Sequence, residues 1–318
     1  MSIAEYSEDE AQIFMRIIRD MPYHQVYKLI QEYNIEVPIE LPTHQLPEFL
    51  YEELDPNMRR AIIADYRDAG KVLCYFFTLS KKTPSLQDLR RNPTLFLSLK
   101  SESEIFENTP YFRNVEAHEQ TGTLRVRFNY YKGRTQLFDK ETQTLKEYFN
   151  VYPGVVIFRP NKRLVEVRAK HRTVSRIAAN RCAIALKIDP LYPLNLYGEE
   201  YIRRFLKWIY SLNNARFEFD VRQALSSLSM SARGRTDLRK LQEFRKYLRE
   251  GKLRGGHATI ITEENRKIRF RIFFRDCRVY FTSFSKEEDI EIVADALEKI
   301  TEGYEFETPI KTIEEYFK

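Results

Sequence analysis

Cysteine is scarce in this chain of 318 residues, which contains only Cys74, Cys182 and Cys277. No two of them have CxxC spacing, so a disulfide framework or a cysteine-rich zinc site is not expected, and the sequence predicts buried, reduced thiols. The histidines are equally dispersed, without the i, i+4 or HxH spacing of metal ligands. We therefore predict neither a metal site nor a cofactor. The five histidines are His24, His44, His118, His171 and His257.

Long hydrophobic runs are also lacking. The longest, such as residues 72–79, are much shorter than the ~20 residues that a membrane span needs. The first ten residues are acidic and lack the basic and apolar regions of an export signal. With a mean hydropathy of −0.52, the sequence predicts an intracellular protein, cytoplasmic or nuclear if the host has a nucleus, without a membrane partner.

The common catalytic motifs are missing too. No GxxxxGK[ST], GxGxxG or GxSxG pattern occurs, and Gly255 with Gly256 forms only a doublet. The pairs closest to a metal-dependent nuclease are Glu166 with Lys170 and Glu218 with Asp220. Both glutamates alternate with apolar residues, which is typical of the polar side of a strand. The sequence leaves the enzyme question open but favours a non-enzymatic protein.

Charge is distributed unevenly along the chain. The net charge is +6, yet residues 1–50 contain three Lys or Arg against nine Asp or Glu, and residues 151–250 contain twenty-one against nine. A cationic segment of this size attracts phosphate backbones or an acidic protein surface. A solvated basic face without a partner is the alternative.

Basic residues on predicted helices and strands are the candidate phosphate contacts. One group surrounds the start of a predicted helix at about residues 172–187, a second lies on a predicted helix at about 237–250, and a third follows one face of a strand. The third group belongs to a strand-rich stretch that also contains Lys267, Arg275 and Arg278. The candidates are Arg168, Lys170, Arg172, Arg176, Arg239, Lys240, Arg245, Lys246, Arg269 and Arg271.

The apolar periodicity predicts an α+β fold. Residues 1–82 have helical spacing, as in Ile13, Phe14 and Ile17. After them the period alternates, so that residues 124–131 and 134–138 predict a hairpin turning at Lys132 and Gly133. Antiparallel pairs are also predicted at 154–158 with 164–168, and across 258–261, 267–274 and 279–282.

Three domains follow from this pattern: a helical domain at 1–82, an α+β unit at 83–190, and helices plus a second α+β unit at 191–318. The hydrophobic-Arg-Phe pattern at 126–131 recurs at 268–273. A duplicated unit and convergence of two half-buried strands both account for this recurrence.

The opening helices resemble the start of the centromere protein N family. Residues 14–30, FMRIIRDMPYHQVYKLI, contain a helix, a Met-Pro break and a second amphipathic helix, the order that begins the pyrin-like domain of that family, before its α+β domain. The resemblance implies a non-enzymatic chromatin or DNA-binding protein that uses a basic groove between its domains. It also implies that Arg16 contacts phosphate.

The sequence as a whole predicts a non-enzymatic adaptor that binds nucleic acid, DNA more than RNA, through its basic surface. A scaffold that docks an acidic protein partner is the main alternative. A metal-dependent nuclease is the weaker one.

Overall fold

A computed structural model describes residues 9–79, 107–118, 122–139, 144–219, 226–232, 236–304 and 306. The chain forms two compact units, one of Met1–Lys71 with Phe281–Val293 and one of Val72–Tyr280 with Ala294–Lys318. Helices come first and a strand-rich region follows, so the predicted α+β class is confirmed. In the described ranges, no helix is long and apolar enough to cross a membrane.

In the first unit, the described residues before Lys71 form four short helices. Their apolar faces enclose one core, which includes Phe14, Ile17 and Leu50 and also Phe284 from the returning segment. The helical spacing predicted for Ile13, Phe14 and Ile17 is confirmed, since all three are buried on the first helix. The helices are α1 (Glu10–Asp20), α2 (Tyr23–Glu32), α3 (Leu46–Glu53) and α4 (Pro56–Tyr66).

The second unit contains a mostly antiparallel sheet. Among the described residues the strands are β1 (Leu73–Thr78), β2 (Tyr111–His118), β3 (Thr123–Asp139), β4 (Thr144–Arg159), β5 (Leu164–Arg168), β6 (Tyr192–Pro193), β7 (Ser211–Glu218), β8 (Ser227–Ser231), β9 (Lys252–Ile261), β10 (Lys267–Phe273) and β11 (Arg278–Phe281). Their order is β2-β3-β4-β5-β1-β11-β10-β9-β7-β8, and β6 pairs with β1. The two predicted α+β units therefore contribute strands to one sheet.

Helices also occur in the strand-rich region, and the first of them lies where the sequence predicts a helix at about residues 172–187. They are α5 (Arg172–Ala185), α6 (Glu199–Trp208), α7 (Gln242–Glu250) and α8 (Glu287–Glu302), with short 3₁₀ turns at Pro160–Lys162 and Leu238–Lys240. The stretch predicted as one helix at 237–250 is thus a 3₁₀ turn followed by a shorter α-helix.

Different helices cover opposite faces of the sheet. Helix α5 packs its apolar side against Tyr75 and Val167 of the β1–β5 half. In the other half, Phe270 of β10 packs against Trp208 of α6, with ring centroids 5.9 Å apart. Phe217 of β7 packs against α7 in the same way. Strand register places Tyr75 beside Arg278, so the α5 side of the sheet continues into the polar face of β7, β9 and β10.

The predicted hairpin at Lys132 and Gly133 is wrong. Strand β3 continues through these residues and pairs with β4 along its length, with a register shift between Tyr131 and Arg134. Gly133 has a φ of +74°, a conformation that serves a bulge inside a strand as well as a turn between strands. The Lys132–Gly133 pair therefore marks a change in the strand, but this change is a bulge and not a turn.

Beyond the bulge, β3 and β4 form a two-stranded ribbon that extends past the other described strands that pair with them. Strand β2 pairs with β3 only up to Asn129, and β5 pairs with β4 only from Val155 onward. Several large apolar side chains on the ribbon are exposed: Phe138, Leu145, Tyr148, Phe149 and Val151.

A buried ionic cluster lies where β4 and β5 pair. Glu166 accepts hydrogen bonds from Arg159 Nη2 at 2.7 Å and Arg168 Nε at 2.6 Å, and all three side chains are almost fully buried. Burial acts to raise the pKa of Glu166, but the Arg168 and Arg159 guanidiniums outweigh it and lower the pKa to about 2. Glu166 is thus held ionised inside the sheet.

Glu166→Gln should destabilise the protein by about 3–5 kcal/mol, because it leaves two buried guanidiniums without their counter-charge. Urea denaturation followed by circular dichroism measures this. Glu147→Gln is the matched control, since Glu147 pairs with Arg134 on an exposed part of the ribbon. Equal midpoints for the two variants would contradict a structural role for Glu166.

Stability should also depend on pH through Glu166. Its pKa is about 2 in the folded chain against an ordinary value of 4.5, so its contribution is complete above the ordinary value. The contribution is lost as the pH falls from 4.5 toward about 2. The stability difference between the native chain and Glu166→Gln should therefore shrink over this interval, as thermal melting at a series of pH values would measure.

Candidate nucleic-acid interface

A cavity of about 480 Å³ opens on the polar face of β7, β9 and β10, close to the start of α5. Its lining comes from segments that are far apart in the sequence. Arginine dominates, with six residues against one carboxylate among the described residues. The lining consists of Arg172, Asn214, Arg216, Arg254, Gly255, Gly256, Arg271, Phe273, Arg275, Asp276 and Arg278. We call this set the arginine cavity.

Strand alternation places Arg271 of β10 and Arg216 of β7 on this face. On β10, Ile268, Phe270 and Ile272 are buried, and the residues between them point to the other side. Register then aligns Arg271 with His257 and Asn214 across three strands. The next row on this face aligns Phe273, Gly255 and Arg216.

Gly255 and Gly256 form part of the cavity wall as bare main chain. A Cβ atom at Gly255 would lie 2.3 Å from the carbonyl oxygen of Ile272, and one at Gly256 would lie 2.4 Å from that of Asn214. Contacts this short are not tolerated, so the close approach of the strands requires glycine at both positions. The doublet therefore has a structural function unrelated to the glycine-rich phosphate motifs.

Asp276 holds two of the arginines. Its Oδ2 atom lies 3.3 Å from Arg172 Nε and 3.1 Å from Arg278 Nε, and the carboxylate is largely buried. Arg172 is the first residue of α5, and its side chain is about half exposed. Asp276 thus links the helix to the turn before β11 and fixes both guanidiniums at the cavity.

The Phe273 ring holds a second pair. The guanidinium carbon of Arg278 lies 4.2 Å from the ring centroid, and that of Arg271 lies 4.7 Å from it. Cation–π contact stabilises a guanidinium while leaving the N–H groups at the edge of the guanidinium available for hydrogen bonds. Phe273 therefore orients Arg271 and Arg278 without neutralising them.

Arg254 is paired with a carboxylate outside the lining. Its Nε atom lies 3.1 Å from Glu218 Oε2, which also accepts a hydrogen bond from the Tyr197 hydroxyl at 2.8 Å. Burial, followed by the Glu218 carboxylate, raises the pKa of Tyr197 to about 12. Tyr197 stays protonated and holds Glu218 in place as a donor.

The cavity has a strong excess of positive charge. Arg216, Arg271 and Arg275 form no ion pair with any described residue. Burial and the nearby Arg271 guanidinium lower the pKa of His257, as a positive field does. The cavity can therefore accept an anion without first breaking these three side chains out of ion pairs.

A smaller basic cluster adjoins the cavity at the start of α5. Lys132 Nζ lies 3.4 Å from His171 Nδ1, and Lys170 Nζ lies 5.0 Å from the centroid of the Tyr152 ring. Burial, Lys132 and Lys170 all lower the pKa of His171. Since His171 directly precedes Arg172, positive charge continues from the cavity toward the base of the ribbon.

Five of the predicted contacts lie on this side of the second unit. Arg172 and Arg271 line the cavity. Arg269 is exposed on the same strand face as Arg271, as period-two alternation predicts. Lys170 belongs to the adjoining cluster, and Arg176 is exposed one helical turn after Arg172.

Two predicted contacts are corrected by the structure. Arg168 is buried and paired with Glu166, as described above. Arg239 is fully buried, and its Nη1 atom donates to the carbonyl oxygens of Leu206 at 2.6 Å and Ile209 at 3.0 Å. Neither guanidinium reaches the surface, so neither can contact a phosphate in this structure.

The remaining predicted contacts lie away from the cavity. Lys240 and Lys246 are exposed, and Lys246 belongs to α7, which covers the opposite face of the sheet. Arg245 lies on the same helix and is half-buried. Arg16 is half-buried on α1 in the first unit, where it lines a separate cavity of about 280 Å³ with Asp20, Arg67 and Lys71.

Sequence reasoning overlooked Arg216 and Arg254. Arg216 faces the cavity because Phe217, the next residue, is directed toward α7. The alternation around Arg216 indicated a strand, but it did not indicate which strand would be its neighbour. The β7–β9–β10 register places Arg216 and Arg271 on one surface, and the sequence alone does not reveal that register.

Both glutamates considered for a nuclease are bonded to other side chains in the structure. Glu166 is bonded to two arginines, and Glu218 is bonded to Arg254 and Tyr197. Asp220 lies outside the described residues. No group of three or more His, Cys, Asp or Glu that could hold a metal ion occurs in the part of the chain that the structure describes.

Comparison with known proteins adds no relative. The chain matches no protein-family model and no curated protein sequence. The resemblance of the opening helices to the centromere protein N family stays a prediction.

Arg239→Lys should destabilise the second unit by about 2–4 kcal/mol, because an ammonium cannot replace a buried guanidinium that serves several acceptors. Chemical denaturation measures the change. The adjacent Lys240→Gln is the control, since it removes an exposed charge and should shift stability by less than ~0.5 kcal/mol. A fully stable Arg239→Lys variant would contradict the structural role.

Proposed function

We propose that this protein is a non-enzymatic nucleic-acid-binding adaptor that prefers DNA to RNA, and that the arginine cavity contacts the phosphates. The proposal rests on one observation: among the described residues, six arginines and a single carboxylate line one open cavity. Such an excess of like charge is unfavourable unless an anion offsets it.

The chemistry of arginine supports a phosphate ligand. A guanidinium presents a planar set of donors that matches two phosphate oxygens at once, and it stays charged at every physiological pH. Arg216, Arg271 and Arg275, which lack ion-pair partners among the described residues, offer these donors directly.

The surroundings of the cavity support a ligand longer than one phosphate group. Arg269 extends the positive face along β10, and Lys132 and Lys170 extend it past the start of α5. A nucleic acid strand that passes over the cavity would meet cations on both sides. Binding should then involve the release of several counterions and should depend steeply on salt.

Arg216→Gln with Arg271→Gln should weaken binding to labelled DNA by roughly 10- to 100-fold at low salt, because two charge-assisted contacts are lost. The slope of log affinity against log salt should also become less steep by about 2. Fluorescence anisotropy over a salt series, with single strands, duplexes and RNA as probes, measures both quantities.

Lys240→Gln with Lys246→Gln is the matched control. It removes the same charge from outside the cavity and should leave the affinity nearly unchanged. A native chain without affinity for any of the probes at low salt would refute the proposal. Retention of a partner in pull-downs after nuclease treatment would favour an acidic protein ligand instead.

A further inference from the structure

We propose that the arginine cavity captures a terminal phosphomonoester, the phosphate group at the end of a nucleic acid strand. This inference rests on the proposed function and specifies which part of the ligand enters the cavity. It starts from how the arginines are arranged: they line one concave cavity instead of following a line along the surface.

The size of the cavity favours a small group. A volume of about 480 Å³ is typical of a site for a small molecule and holds roughly one nucleotide. A duplex is too wide to enter it. An internal nucleotide of an unbroken strand would need room in the cavity for two chain connections. A strand end has no second connection to accommodate.

The charge of the cavity favours a terminal phosphate over an internal one. An internal phosphodiester carries a single charge, and its two ester oxygens are weak acceptors. A terminal phosphomonoester carries about −1.5 to −2 charges near neutral pH and has three strong acceptor oxygens. A terminal phosphate therefore offers more negative charge and more acceptor oxygens than an internal one to the three arginines that lack ion-pair partners among the described residues.

Contacts within the protein hold three of the six cavity arginines in place. Phe273 holds Arg271 and Arg278, and Asp276 holds Arg172 and Arg278. Ordering long side chains on binding reduces affinity, so fixed guanidiniums strengthen the binding of a group that fits them. Phe273 is on this view a positioning residue, since it orients cations and contributes no charge.

The experiment compares four forms of one single-stranded sequence. They carry a 5′-phosphate, carry a 3′-phosphate, carry hydroxyl groups at both termini, or are closed into a circle without termini. We expect one of the phosphorylated forms to bind on the order of 10-fold more tightly than the hydroxyl form. The preference should disappear in Arg216→Gln with Arg271→Gln and persist in Lys240→Gln with Lys246→Gln. Equal affinity of the native chain for all four ligands would overturn the inference while leaving nucleic-acid binding intact.

Competition with a nucleoside monophosphate distinguishes the two sources of a phosphomonoester, a strand end and a free nucleotide. Displacement of the phosphorylated strand by the free nucleotide supports the cavity as a phosphomonoester site. If the native chain binds the nucleotide but no strand, the terminal-phosphate chemistry stands and the proposed nucleic-acid function fails. Binding of strands that the nucleotide never displaces, even at large excess, would count against the inference.

Phe273→Leu tests the positioning role. It keeps every charge, so the salt dependence should be unchanged, whereas the preference for the phosphorylated end should fall severalfold. Phe273→Tyr keeps an aromatic ring and should therefore retain the preference for the phosphorylated end. A Phe273→Leu variant that folds, as judged by its circular dichroism, and keeps the full preference would contradict the role of the ring. If that variant does not fold, loss of preference in Phe273→Tyr would contradict it instead.

Discussion

The alternation of side chains along a strand is the constraint on which the cavity depends. Ile268, Phe270 and Ile272 must be buried to form the core of the second half of the sheet, and this requirement directs Arg271 to the opposite face. Strand β7 alternates in the same way from Asn214 to Phe217, and the register brings its polar residues beside Arg271, whereas Arg254 of β9 lies at a register shift in the β7–β9 pairing. The core that stabilises the sheet and the surface that collects positive charge are thus two sides of the same strands.

Arginine performs two distinct roles in this protein, and burial separates them. Arg159, Arg168 and Arg239 are buried and bonded to carboxylates or carbonyl oxygens, which makes them part of the framework. Arg216 and Arg271 remain accessible and form no ion pair among the described residues. Composition counts the two classes together, so the +12 excess between residues 151 and 250 overstates the charge available to a ligand.

Local patterns predicted the secondary structure better than the site. Helical spacing identified α1, and alternation identified β10 and placed Arg269 and Arg271 on one face. Burial of Arg239 could not be foreseen, because a basic residue near an amphipathic helix ordinarily faces water. The cavity was beyond prediction for another reason: Arg172 and Arg216 approach each other only through long-range strand pairing, which leaves no periodic signal.

The glycine doublet of β9 sets a limit on how this protein can diversify. Where a binding surface is made of side chains, its selectivity can drift by single substitutions. Here part of the wall is peptide backbone, locked between the carbonyl oxygens of Ile272 and Asn214. Substitutions of the arginines can therefore change the selectivity of the cavity, whereas the backbone wall keeps its shape as long as the sheet is intact.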